Sequence, residues 1–166
     1  WLLTGAAGER LGQFDWVIST SPAPQADKLL PACFSHKAAL SEVDFFPCLS
    51  LLLGFRSAPE LNFDAAVVRN SPLSWIAANS SKHGRPASFA LTVHSDNQWA
   101  RAQPKGTIDT ARNSMLAALN ELLGDQLPAP EHIAIHRWEY AKAETNLEKD
   151  FLLDESNRLA ACGDWC

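Results

Sequence analysis

Most of the signatures that announce a chemistry are missing from this sequence. There is no GxSxG elbow, no HExxH pair, no Gly-rich phosphate loop and no tight group of histidine, cysteine and carboxylate, so a hydrolase or a metalloenzyme has no local support. Positive charge is scarce. With 14 Lys and Arg against 19 Asp and Glu, the net charge is −5, which argues against a nucleic-acid partner, because such proteins carry a basic face to neutralise phosphates. Long apolar runs are absent too: "CLSLLLGF" is far below the ~20 residues that a membrane-spanning helix needs. The opening "WLLTGAAGERLGQ" lacks the basic and apolar regions of a signal peptide. No CxxC spacing exists among the four cysteines, which removes the common zinc frameworks. Cys33, Cys48 and Cys162 lie in or beside apolar segments, as the reduced, buried thiols of a cytoplasmic protein do. Tyrosine occurs once, whereas tryptophan occurs six times.

What is present is the patterning of a soluble globular chain with 46% hydrophobic residues. "FDWVIST" (14–20) predicts a strand, and the Ser-Pro and Ala-Pro steps of "SPAPQADKLL" predict a turn opening a helix. "SEVDFFPCLSLLLGF" predicts a long strand around Cys48 to Phe55, apolar on both faces. Two short strands follow in "AAVVRNSPLSWIAANSS", split by the turn signal Asn70-Ser71-Pro72. "SKHGRP" is a further turn, and "ASFALTVHS" alternates Phe89, Leu91 and Val93 with smaller residues. From Thr107 to Leu123 the apolar spacing becomes three and four, and Gly124 supplies a stop, so a helix is expected there. "PEHIAIHRWEYAKA" alternates again, with His136, Trp138 and Tyr140 on one side. "DFLLD" and "RLAACGD" predict two closing strands, and "GAAGERLG" a hairpin turn. The expected fold is α+β, a mostly antiparallel mixed sheet flanked by helices.

Four stretches rise above this background as an ordered set: "FDWVISTSPAPQ", "WIAANSSKHGRP", "HRWEYA" and "CGDWC". In order and spacing the chain resembles bacterial renalase-like proteins, FAD-dependent oxidoreductases related to the flavin-containing amine oxidases. The resemblance implies three regions: residues 1–30 as the end of an FAD-binding region, 31–156 as a substrate domain, and 157–166 as a return strand with a flavin-contact turn. It also implies a chain that starts after the Gly-rich FAD fingerprint, an excised or partial piece that is inactive alone and does not retain FAD. Carried onto matching residues, Thr20, Ser21, Pro22, Gly163, Asp164 and Trp165 are expected beside the cofactor. Gly163 admits a close backbone approach, the Asp164 carboxylate accepts hydrogen bonds from ribityl or ribose hydroxyls, and Trp165 sits at the flavin edge.

Flavin chemistry needs no side-chain nucleophile, which accounts for the missing motifs. Trp75, Trp138 and Tyr140 are candidate pocket walls, and Asn79, Lys82 and Arg85 candidate substrate contacts, the two cations suiting phosphates. No catalytic side chain and no metal ligand is assigned. The activity implied is oxidation of an isomeric dihydronicotinamide dinucleotide to NAD(P) with oxygen as acceptor. Two alternatives stand beside it: oxidation of a small amine, and a non-catalytic small-ligand-binding α+β domain.

Overall fold

The computed structural model describes residues 1–85, 88–124 and 127–166. Its strands are β1 (Leu2–Thr4), β2 (Arg10–Gln13), β3 (Val17–Ser19), β4 (Phe45–Phe55), β5 (Ala65–Val67), β6 (Leu73–Ala78), β7 (Phe89–Ser95), β8 (His132–Ala143), β9 (Leu152–Asp154) and β10 (Leu159–Ala161). The helices are α1 (Ala23–Leu29), α2 (Lys37–Glu42), α3 (Asn97–Ala102) and α4 (Ile108–Leu123). The fold is α+β, as the patterning predicts, but the strands form three sheets and not one. The chain divides into a unit of residues 1–45 with 143–166 and a unit of residues 46–142. The turn of "SKHGRP" is described as far as Arg85; Pro86 lies outside the described residues.

In the unit of residues 46–142 the sheet runs β5-β6-β7-β4-β8. The β5, β6, β7 and β4 pairs are antiparallel. At either end of the β4/β8 ladder, Glu131 N–H donates to Gly54 O and Glu144 N–H to Asp44 O, which sets those strands antiparallel as well. One face of this sheet is the core. Leu49, Leu51 and Leu53 of β4, Leu91 and Val93 of β7, and Ile76 of β6 are buried together with Ala111, Met115 and Leu119 of α4. The α4 residues recur every four positions and so fall on one stripe. Each leucine, isoleucine, valine or methionine among them contributes roughly 1.5–3 kcal/mol on burial. Gly124, at φ +54°, ends α4 in a conformation that other residues rarely adopt, and its N–H donates to Asn120 O.

A bulge at Ser74 decides what the other face carries. The register passes from Leu73 opposite Ser95 directly to Trp75 opposite His94, leaving Ser74 as the extra residue. Its hydroxyl donates to Ser95 O at 2.8 Å. Leu73 and Ile76, three apart, therefore both face the core, and Trp75 is turned to the opposite side.

In the unit of residues 1–45 and 143–166, β1 and β2 form the expected hairpin. A three-stranded sheet runs β3-β10-β9, with β3 and β10 parallel. The strand predicted over 14–20 shortens to Val17–Ser19, because β10 offers only Leu159–Ala161 as partners. Pro22 caps α1 at its N-terminus, as the Pro signals predict. Helix α2 was not expected from periodicity; at six residues it is too short for a repeat to show. Asp154, 5% exposed, accepts hydrogen bonds from Ser35 N–H at 2.8 Å and from both the backbone and side-chain N–H groups of Asn157. These bonds, Asn157 first, hold its carboxyl well below the usual carboxylate range.

Candidate functional site

Parallel pairing brings the carboxyl ends of β3 and β10 side by side, and the turns leaving them are the two stretches expected at the cofactor. Ligands of open α/β sheets gather at such strand ends. Cys162 N–H donates to Ser19 O at 3.0 Å, extending the pairing by one step. Ser19 and Ser21 hydroxyls share a hydrogen bond of 2.9 Å. Trp165 is 1% exposed and donates its indole N–H to Ser21 O at 3.2 Å, tying one turn to the other from beneath. Gly163 has an internal reason to be glycine: a Cβ there would collide with the Trp165 indole. Asp164 is exposed at the tip, and its carboxylate makes no hydrogen bond or ion pair among the described residues. Thr20 is also exposed, and Pro22 is half-buried. Thr20, Ser21, Pro22, Gly163, Asp164 and Trp165 thus lie in one place.

The second set gathers on the outer face of the five-stranded sheet. Residues directly opposite on antiparallel strands share a face. Trp75 of β6, His94 of β7 and Ser50 of β4 are cross-strand neighbours, and the Trp138 indole of β8 donates to Ser50 Oγ at 3.1 Å. Together they form one row across four strands. His136 packs edge-on to Trp138 with ring centroids 4.4 Å apart. A cavity of about 600 Å³ opens on this face, lined by Cys48, Ser50, His94, Trp138, Tyr140 and Lys142, with Ser74, Ser95 and Asn97. Trp138 and Tyr140 are therefore pocket residues, whereas Trp75 stands in the row without lining the cavity. Asn79 donates its side-chain N–H to the Thr92 hydroxyl. Lys82 and Arg85 are exposed in the turn that follows.

Burial is the main cause, and the charge of Lys82 the second, by which the His94 imidazole is pushed below its ordinary value. Burial likewise raises the Cys48 thiol. His94, Ser50 and Cys48 are the site residues that sequence reasoning missed; the alternation of "ALTVHS" opposite "CLSLL" was the available signal. All four cysteines are free, but of the three expected to be buried only Cys48 is: Cys33 is exposed on the loop between α1 and α2, and Cys162 is half-buried.

The helix-covered face has a smaller cleft, about 260 Å³, where Leu49, Ala111, Arg137 and Glu139 meet. Its charges are spoken for: Arg137 donates to Glu139 at 3.1 Å and to Ala100 O at 3.0 Å, and Lys105 lies 3.7 Å from Glu139. Among the described residues there is no group of three or more His, Cys, Asp or Glu able to hold a metal ion, and no helix long and apolar enough to cross a membrane.

Comparison with known proteins gives this arrangement its class. The model of the flavin containing amine oxidoreductases matches residues 2–149, and the chain belongs to that family. Flavin is accordingly its implied cofactor. Among solved structures, the chain is similar to a protein from Exiguobacterium sp. 255-15 described as a "Putative protoporphyrinogen oxidase", at 17% identity and a TM-score of 0.63, over 90% of this chain and 36% of that one. An oxidoreductase from Methanosarcina mazei matches at 13% identity and a TM-score of 0.60, over 99% of this chain and 43% of that one. Reduced UDP-galactopyranose mutase matches at 15% identity and 0.57, over 84% and 32%. At these identities the likeness is one of fold, and the chain spans 32% to 43% of each structure.

Proposed function

We propose that the chain belongs to an FAD-dependent oxidase of the renalase type, which returns an isomeric dihydronicotinamide dinucleotide to NAD(P) with oxygen as final acceptor. When bound, the flavin supplies the hydride acceptor. The exposed Asp164 carboxylate and the Thr20 hydroxyl fit a hydroxyl-rich cofactor chain, because both are polar, outward and carried on turns that Trp165 holds in place. Gly163 and Ser21 would offer backbone groups there, and Pro22 sets the direction in which the chain leaves.

One observation carries the substrate assignment: among the described residues no aspartate or glutamate lines the outer-face cavity, while Lys142 does, although the charge of Asp96 reaches Cys48 at its edge. Such surroundings favour an anionic or neutral substrate over a protonated amine. Trp138 and Tyr140 favour a second reading, oxidation of a small amine framed by aromatic rings. Steady-state kinetics of the flavin-loaded enzyme separates them. Replacing Lys82 and Arg85 by alanine together should raise the KM for the dinucleotide on the order of tenfold with a smaller change in kcat, since phosphate contacts act in ground and transition states alike. The effect should shrink with added salt. Turnover of benzylamine with no turnover of the dinucleotide would establish the amine reading instead.

A further inference from the structure

We infer that His94 and Ser50 form a subsite for the carboxamide edge of a flat six-membered ring, with the Trp138 indole as its wall. This rests on the dinucleotide reading only in choosing nicotinamide as the ring. Trp75 and Trp138 are separated by three strand spacings, about 14 Å, with His94 and Ser50 on the two strands between. Ser50 Oγ accepts the Trp138 N–H, and its hydroxyl otherwise meets only the neighbouring Cys48 thiol, a weak acceptor that a ligand carbonyl would replace. The half-buried His94 ring makes no hydrogen bond among the described residues although it lines the cavity.

Complementarity follows from the donor and acceptor inventory. A neutral imidazole presents one N–H and one bare nitrogen, and Ser50 adds a hydroxyl donor. A primary amide presents the matching pair, a carbonyl oxygen and an NH₂. An ammonium group, by contrast, has no acceptor to offer the Ser50 proton and finds no carboxylate among the cavity's lining residues. The flat ring is an apolar surface suited to the Trp138 indole, which is held in its orientation by both Ser50 and His136.

The test is titration of the flavin-loaded enzyme with nicotinamide and, separately, with NAD⁺, following tryptophan fluorescence and the His94 ring signals by NMR. Nicotinamide should shift the His94 signals in the wild type. His94→Phe and Ser50→Ala should each weaken nicotinamide binding by about three- to tenfold, the loss of one hydrogen bond between neutral groups. His94→Gln, which keeps a donor and an acceptor, should recover part of it. Equal affinity in wild type and His94→Phe, or unmoved His94 signals at saturating nicotinamide, overturns the subsite while leaving the dinucleotide reading intact. Binding of nicotinamide without binding of NAD⁺ supports the subsite and overturns that reading. Failure of both ligands to bind overturns both.

Discussion

The two faces of the five-stranded sheet are built from alternate residues of the same strands, yet they answer to different demands. Leu51 and Leu53 point into a core closed by α4, whereas Ser50 and Leu52, their immediate neighbours, belong to a face that keeps a hydroxyl, an imidazole and indoles outward. On the core face an apolar side chain gains by burial, and its replacement leaves a cavity. On the outer face a similar change leaves the fold nearly as it was. The contrast separates residues that the fold requires from residues that it leaves free for another duty.

Exchanging the demands should give effects in descending order. Leu51→Ala should cost about 2–5 kcal/mol in urea unfolding, while Leu52→Ala, at a position 40% exposed, should cost no more than about 1 kcal/mol. Equal losses would erase the distinction between the faces. The other unit offers a parallel pair, the enclosed Asp154 and the outward Asp164. Because the folded pKa of Asp154 is depressed, its stabilisation is complete above the unfolded value of about 3.9, declines as pH falls below it, and is gone once pH passes the folded value. Asp154→Asn should therefore lower stability at pH 7 and flatten the acid limb of a stability–pH curve; an unchanged acid limb would count against the Asn157 and Ser35 hydrogen bonds. Trp138→Phe should cost about 0.5–1.5 kcal/mol through the lost bond to Ser50. Smallest of all, Asp164→Asn should alter stability by less than about 0.5 kcal/mol, and in the full-length protein its consequence should appear as weaker flavin retention on dialysis.

Legibility followed the length of the pattern. Strand β4, the pair β5/β6, strand β7 and helix α4 were readable because each repeats its period or meets a strong turn signal, as at Asn70-Ser71-Pro72 and Gly124. Helix α3 is too short for periodicity, although Asp96, which accepts from Trp99 N–H, is the residue type expected at a helix start. The candidate cofactor turns were readable as a motif, but their adjacency needed the parallel β3/β10 pairing, which no local pattern encodes. The row of Trp75, His94 and Ser50 was harder still. It depends on register between distant strands and on the single extra residue at Ser74, so no stretch of one strand contains it. Cys33 was misplaced for the opposite reason: Leu30 and Phe34 around it are buried, but the turn between them points Cys33 outward, and composition alone does not tell which residue of a turn faces in.

The position of β4 has a consequence in time. It is the first strand of its sheet to be synthesised, yet it lies between β7 and β8, so its hydrogen-bonding edges stay open until chain far downstream has been made. Strand β8 begins at His132, and at the usual pace of translation the intervening stretch takes on the order of ten seconds. Until β8 is made, at least one edge of an eleven-residue strand without a charge, "FFPCLSLLLGF", is open to any other strand it meets. Loop closure over such separations is slow as well, so folding is expected to be limited by the docking of β8 and to lose yield steeply with protein concentration. Dilution and low temperature during refolding should protect the sheet more than any added stabiliser of the finished fold, because the hazard belongs to an interval before that fold exists.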